Sequence, residues 1–144
     1  SRLMSNIRED KGYTYGISSG ILFYPGTGVF VVSTEADGEY TENIVKEVYH
    51  EMEVLKNDLV TDKELSIVRN YMLGQMCRNY EGPFSLAEAW TFIETNHLDE
   101  SYYQRSLEAV REVSSSDLRE LAIKYFNNDG LTEVVVGKKI SNKL

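Results

Sequence analysis

The sequence predicts an α+β fold: a mixed, largely antiparallel sheet of three strands backed by about five to six helices. Three observations carry this. Alternating runs rich in Tyr, Val and Ile flank a Pro25-Gly26 turn. Apolar residues at helical spacing then run from Thr41 to Asn127, punctuated by cap signals. A final apolar run, Leu131 to Val136, reads as a strand. A length of 144 residues suits one domain with a core of its own.

The elements follow in order. Arg2 to Asp10 reads as a helix with Leu3, Met4 and Ile7 as its apolar stripe and Ser1 as N-cap. Gly12 ends it, being free to take positive φ. Tyr13 to Phe23 reads as a strand, with Tyr13, Tyr15, Ile17, Ser19, Ile21 and Phe23 on one side. The other side holds Thr14, Gly16, Ser18, Gly20 and Leu22, mostly small residues that suit a close approach of backbone. Tyr24 to Gly28 is a turn, and Val29 to Glu35 returns as the second strand of an antiparallel hairpin.

Five helices are expected next. Ile44, Val45, Val48, Tyr49, Met52 and Leu55 line the first, which starts near Thr41. Thr61 to Glu64 is a capping box, in which a side chain at each end satisfies an amide that has no partner within the helix. The stripe behind it is Leu65, Val68, Met72 and Met76, and Glu81-Gly82-Pro83 breaks it. Ser85 to Glu88 reads as a second capping box for a helix turning Ala89, Trp90 and Ile93 inward. Asp99 reads as the cap of a helix with Tyr103, Leu107 and Val110. Ser114 to Asp117 opens the last one, with Leu118, Leu121, Ala122 and Tyr125 on its face and Asn128-Asp129-Gly130 as its stop. Three strands are few for this helical layer, so at least one more is expected upstream or from another chain, and the chain reads as truncated at its start.

Charge and composition exclude several classes. A net charge of -8 and a pI near 4.8 disfavour nucleic acid and anionic membrane surfaces, which need clustered Lys and Arg. They leave a weak bias toward basic peptides. Cys77 is the single cysteine, so no internal disulfide forms, and it reads as a buried structural thiol. No run approaches the roughly 20 apolar residues of a membrane span. A soluble protein of the cytoplasm or the periplasm is expected.

Most candidate chemistry fails on spacing. His50-Glu51-Met52-Glu53-Val54 begins like H-E-x-x-H but has valine where the second zinc-ligating histidine is needed. His97 stands alone near a helix C-terminus. Ser18, Ser19 and the serines from 114 to 116 lie in no nucleophile elbow, and Cys77 has no His or Asn partner pattern. Gly26-Thr27-Gly28 joins two strands and leads into no helix, so it is no phosphate loop. The acidic pairs Glu9-Asp10 and Glu51/Glu53 read as solvated helix faces. Arg8, on the last turn of the first helix, and Tyr15, early in the first strand, remain. Together they can hold a substrate backbone carbonyl or an oxyanion. Read separately, they are a solvated arginine and a half-buried strand tyrosine.

The segment Ser1-Arg2-Leu3-Met4-x-x-Ile7-Arg8-Glu9-x-Lys11-Gly12-x-x-Tyr15 resembles one in the C-terminal domains of the pitrilysin and mitochondrial-processing-peptidase family. These inverzincin metallopeptidases include insulin-degrading enzyme. The family pattern is roughly S-R-L-x-x-x-L-R-E-x-x-G-L-x-Y, with Ile7 and Tyr13 here standing for leucines. Thr61 to Leu65, Val113 to Leu118 and Val134 to Gly137 resemble the family's T-x-x-E-L, V-T-x-x-D-V and final strand in the same order.

The resemblance implies repeated α+β domains of the processing-peptidase type, arranged as two halves around a chamber. It implies zinc on an N-terminal half or partner subunit, bound by H-x-x-E-H and a downstream glutamate. It implies that the zinc-free half supplies an arginine and a tyrosine that hold the peptide substrate, here Arg8 and Tyr15. On this implication the chain binds no metal, holds no catalytic residue and is inactive alone. The missing sheet edge implies pairing with another copy. Other members of the family are structural subunits, so a non-catalytic assembly role is the alternative.

Overall fold

The computed structural model describes residues 1–24, 26–127 and 130–137, which fall into two compact bodies. One comprises residues 1–57 with those from 122 onward, the other residues 58–121.

The first body opens with helical residues Arg2 and Leu3 and continues as a π-helix over Met4–Asp10. Ser1 caps it as expected, its Oγ accepting from the Met4 amide at 3.3 Å. The wide turn is seen at the far end, where the Lys11 amide reaches back five residues to the Asn6 carbonyl at 3.2 Å. Such stretches are rare and collect at functional sites. Gly12 then takes φ +65° and ends the helix as read from the sequence. The hairpin follows: β1 (Thr14–Tyr24) pairs antiparallel with β2 (Thr27–Ala36). A short 3₁₀ turn, Gly38–Tyr40, leads into α1 (Thr41–Asn57).

These elements share one core. Ile7, Ile17 and Ile44 are buried together, with Leu3, Met4, Tyr13, Val32, Tyr40 and Val48 packed around them. Ile7 is fully enclosed at 0% exposure, and burial of a side chain that size contributes about 2–3 kcal/mol. Tyr13 stacks on Tyr40 with ring centroids 5.0 Å apart. Polar contacts reinforce the helix pair: Asn6 Nδ2 donates to Glu47 at 3.0 Å and Glu51 at 2.7 Å, and Lys11 pairs with Glu47. Glu51 is therefore tied to the first helix and is not simply solvated, while Glu53 stays 44% exposed in a local pair with Lys56.

The chain returns to this body at Ala122. Phe126 meets Phe30 at 5.1 Å between centroids, and its carbonyl accepts from Lys56 Nζ at 3.2 Å. Tyr49 donates to Glu133 at 2.9 Å. The expected third strand does not form: Leu131 to Val136 pair with no strand among the described residues. Their anchor is a single side-chain bond rather than a ladder, and Val136 is 93% exposed. The sheet has two antiparallel strands, with no parallel pairing among the described residues. Pro25 and the Asn128-Asp129 stop lie outside the described residues.

The second body holds α2 (Asp62–Arg78), α3 (Pro83–Thr95), α4 (Tyr102–Glu112) and the start of α5 (Ser115–Tyr125). Thr61 caps α2, accepting from Glu64 N at 3.3 Å. The α5 cap is reciprocal: Ser114 N donates to Asp117 and Asp117 N to Ser114 Oγ. Two expected caps move. Pro83 takes the first turn of α3, so Gly82 at φ +96° is its N-cap, and Ser85 Oγ donates back to the Glu81 carbonyl. Asp99 accepts from Ser101 N inside the preceding turn, and α4 starts at Tyr102.

Several burial expectations also fail. Cys77 is exposed. It faces away from Leu65, the one buried residue of the α2 stripe, while Val68 and Met72 stay half exposed. Helix α2 carries Ile67, Val68, Tyr71 and Met72 around more than one side, more than its packing partner α4 covers. Ile93 and Ala122 are buried as read, but Trp90, Leu121 and Tyr125 are not. No helix among the described residues is long and apolar enough to cross a membrane.

Candidate functional site

The β1–β2 register carries one irregularity, and it falls on Tyr15. Thr14 faces Ala36, yet Gly16 already faces Glu35, so Tyr15 is an extra residue on β1. This is a β-bulge, a device that re-aims a side chain beside active sites. Its effect shows in burial. Thr14 and Ile17, three apart, both face inward, where a regular strand buries every second residue. Tyr15 is 99% exposed. The expectation of a half-buried tyrosine sharing a face with Ile17 is thereby corrected, because the bulge shifts the phase between them.

Hydroxyl groups fill the gap that the bulge opens. The Gly16 amide donates to Thr14 Oγ1 at 3.1 Å. The Thr14 hydroxyl lies 2.6 Å from the Glu35 carbonyl oxygen, and that of Thr34 lies 2.8 Å from the Gly16 carbonyl oxygen and 2.9 Å from Thr14 Oγ1. Each hydroxyl has one proton, so Thr14 donates to Glu35 while accepting from Gly16. Thr14 is only 8% exposed, the single buried polar residue of the described chain, and it is fully satisfied.

Arg8 sits on the last helical turn, before Gly12 and Tyr13 lead into β1. Its carbonyl accepts from the Gly12 amide at 3.1 Å, which fixes its backbone. Its side chain is exposed, and among the described residues no hydrogen bond or ion pair engages the guanidinium. The Tyr15 phenol is likewise unengaged among the described residues. The helix and β1 pack against each other through Ile7 and Ile17, so both side chains are carried by elements that share one core. A shallow depression beside Tyr15 is lined by Gly16, Ser33, Thr34 and Glu35. A guanidinium offers five donors and a phenol one, enough to hold a carbonyl or carboxylate.

The remaining candidates do not assemble. His50 is exposed on α1. His97 follows the end of α3 at φ 52°, where its amide and that of Leu98 bond back to the helix. Among the described residues, no three His, Cys, Asp or Glu side chains converge as metal ligands, so the residues present do not fit a zinc site. In the second body, Tyr80, Leu86, Trp90, Ile93 and Tyr103 line an apolar hollow. Burial raises the pKa of both tyrosines, and Tyr103 donates to the Ala89 carbonyl at 3.1 Å, which is a packing role. Sequence reasoning missed Thr14 and Thr34. Gly16 inside a strand was the available signal of a bulge.

Fold and site together define an α+β domain with an exposed arginine and tyrosine beside a strand irregularity, and with no cluster of metal ligands among its described residues. The profile of the peptidase M16 inactive domain matches residues 1–72, half of the chain, and the chain belongs to that family. The matched span contains the whole segment from Ser1 to Tyr15 on which the resemblance rested. The chain is also 27% identical over 81 residues to the uncharacterized zinc protease YmxG of Bacillus subtilis strain 168. That stretch is 56% of this chain and 20% of YmxG. Among solved structures, the peptidase M16 inactive domain from Pseudomonas fluorescens is 26% identical with a TM-score of 0.77, over 88% of this chain and 30% of that one. A protease from Helicobacter pylori (19% identical, TM-score 0.75, 89% of this chain and 31% of that one) shares the fold. So does an inactive peptidase domain from Bordetella parapertussis (16%, 0.73, 91% and 72%). The chain thus spans well under half the length of the first relatives it matches.

Proposed function

We propose that this chain is the substrate-holding, zinc-free domain of a zinc-dependent endopeptidase that cleaves peptides or unfolded segments in an enclosed chamber. One observation carries the reading: Arg8 and Tyr15 both project free side chains from elements that share one core, with no described residue using either. Donors not spent on the protein itself are what a developing oxyanion or an extended peptide carbonyl requires. An exposed tyrosine on an irregular strand position otherwise has no packing role to justify it. On this reading the zinc lies on an N-terminal half or partner subunit, which supplies the hydrolytic chemistry, while this domain supplies only donors and shape. Both outer edges of the hairpin lack a strand partner among the described residues, which favours pairing with further strands, from that half or from a second copy.

The test uses the chain together with its zinc-bearing half. Arg8→Ala is expected to lower kcat/KM on a peptide about 10²-fold, the order seen when one oxyanion donor is removed. Tyr15→Phe, which deletes only the hydroxyl, is expected to cost about 10-fold or more. Neither exposed side chain supports the core, so thermal unfolding stays unchanged. Near-normal turnover in both variants would overturn the reading and leave an assembly role for the domain.

A further inference from the structure

We infer that Thr14 and Thr34 are positioning residues for Tyr15: their hydroxyls hold the β-bulge that turns the phenol out toward substrate. The inference rests on the substrate-holding role proposed above. Ile17 is anchored in the core with Ile7 and Ile44, so its orientation is fixed. In a regular strand Tyr15 shares the face of Ile17 and points at that core. One extra residue between Thr14 and Gly16 reverses this.

A bulge leaves backbone groups out of register, and these need partners. Here two side-chain hydroxyls supply them, one on each strand. The Thr14 hydroxyl bridges the strands, reaching the Glu35 carbonyl at 2.6 Å while accepting the Gly16 amide at 3.1 Å. Thr34 reaches the Gly16 carbonyl from β2 at 2.8 Å. Both backbone groups of Gly16, the residue directly after Tyr15, are therefore held by threonine oxygens. Deleting the Thr14 hydroxyl takes the threonine partner from the Gly16 amide, and deleting that of Thr34 leaves one Thr14 proton to serve both the Glu35 carbonyl at 2.6 Å and the Gly16 carbonyl at 3.0 Å; either loss favours the regular register, which swings Tyr15 inward. Ordinary strand pairing places no such demand on a threonine.

The experiment is a double-mutant cycle on peptidase activity, with chain and zinc-bearing half together, at a temperature where circular dichroism shows every variant folded. Thr14→Val keeps the shape and removes the hydroxyl; it is expected to lower kcat/KM about 10-fold. Thr14→Ser restores the hydroxyl and is expected to stay within about 3-fold of the wild type. Added to Tyr15→Phe, Thr14→Val is expected to cost less than about 2-fold more, because its effect runs through the phenol. A purely structural threonine gives additive losses, and additivity overturns the proposal. So does a Thr14→Val enzyme of normal activity where Tyr15→Phe is impaired. A Tyr15→Phe enzyme of normal activity instead overturns the substrate-holding reading itself. Should Thr14→Val not fold, Thr34→Val carries the same cycle, since its hydroxyl completes the Gly16 carbonyl from the other strand.

Discussion

Two residues with positive φ illustrate how far a single position sets local geometry. Gly12 at φ +65° closes the first helix and turns the chain into β1. A Cβ there meets no neighbour, so the objection to a side chain is conformational and not steric crowding. His97 occupies the same region at φ 52° without glycine's freedom. The two predict opposite outcomes. Gly12→Ala should lose about 1–2 kcal/mol of stability in urea unfolding, and His97→Gly should gain up to about 1 kcal/mol. A stabilised Gly12→Ala chain would show that the left-handed turn is not kept in solution. The same scale applies to Tyr15, whose exposure accompanies one inserted residue in β1, with two threonine hydroxyls bonded around it.

Between elements, the joint of the π-helix and α1 rests on charge. Glu47 accepts from Lys11 and from Asn6, and these bonds, the Lys11 one foremost, hold its carboxyl below the usual glutamate value of about 4.3. A carboxyl depressed on folding stabilises the fold above its unfolded pKa. That contribution fades as pH falls from about 4.3 through the folded value. The Glu47→Gln chain is therefore expected to be less stable than wild type at pH 7, with the gap narrowing steadily below about pH 4. Paired denaturant titrations at both pH values measure this, and a gap that widens in acid would contradict it.

On the scale of the whole molecule, the first body depends on a small core shared by the π-helix, the hairpin and α1. Ile7→Ala removes the side chain that is fully enclosed among the described residues and is expected to cost about 2–5 kcal/mol in chemical denaturation. A loss under about 1 kcal/mol would mean that the helix is held chiefly by Asn6 and Lys11. Many large apolar side chains stay exposed in both bodies, among them Phe23, Tyr71, Phe84 and Trp90. Apolar surface of that kind is what the pairing proposed above would cover.

The sequence by itself determined the helix starts at Ser1, Thr61 and Ser114, the stop at Gly12, the hairpin and the family. Each of these is written within a few neighbouring residues, as a cap, a turn or an alternation. It also singled out Arg8 and Tyr15 as the pair worth weighing. Only the tertiary structure decided that Tyr15 faces out, that Cys77 is exposed, and that Leu131 to Val136 pair with no strand among the described residues. Those outcomes depend on partners distant in the chain. The phase of β1 is set by Ile17 meeting Ile44 and by Thr14 meeting Glu35, and no reading of period 2 along one strand contains either contact.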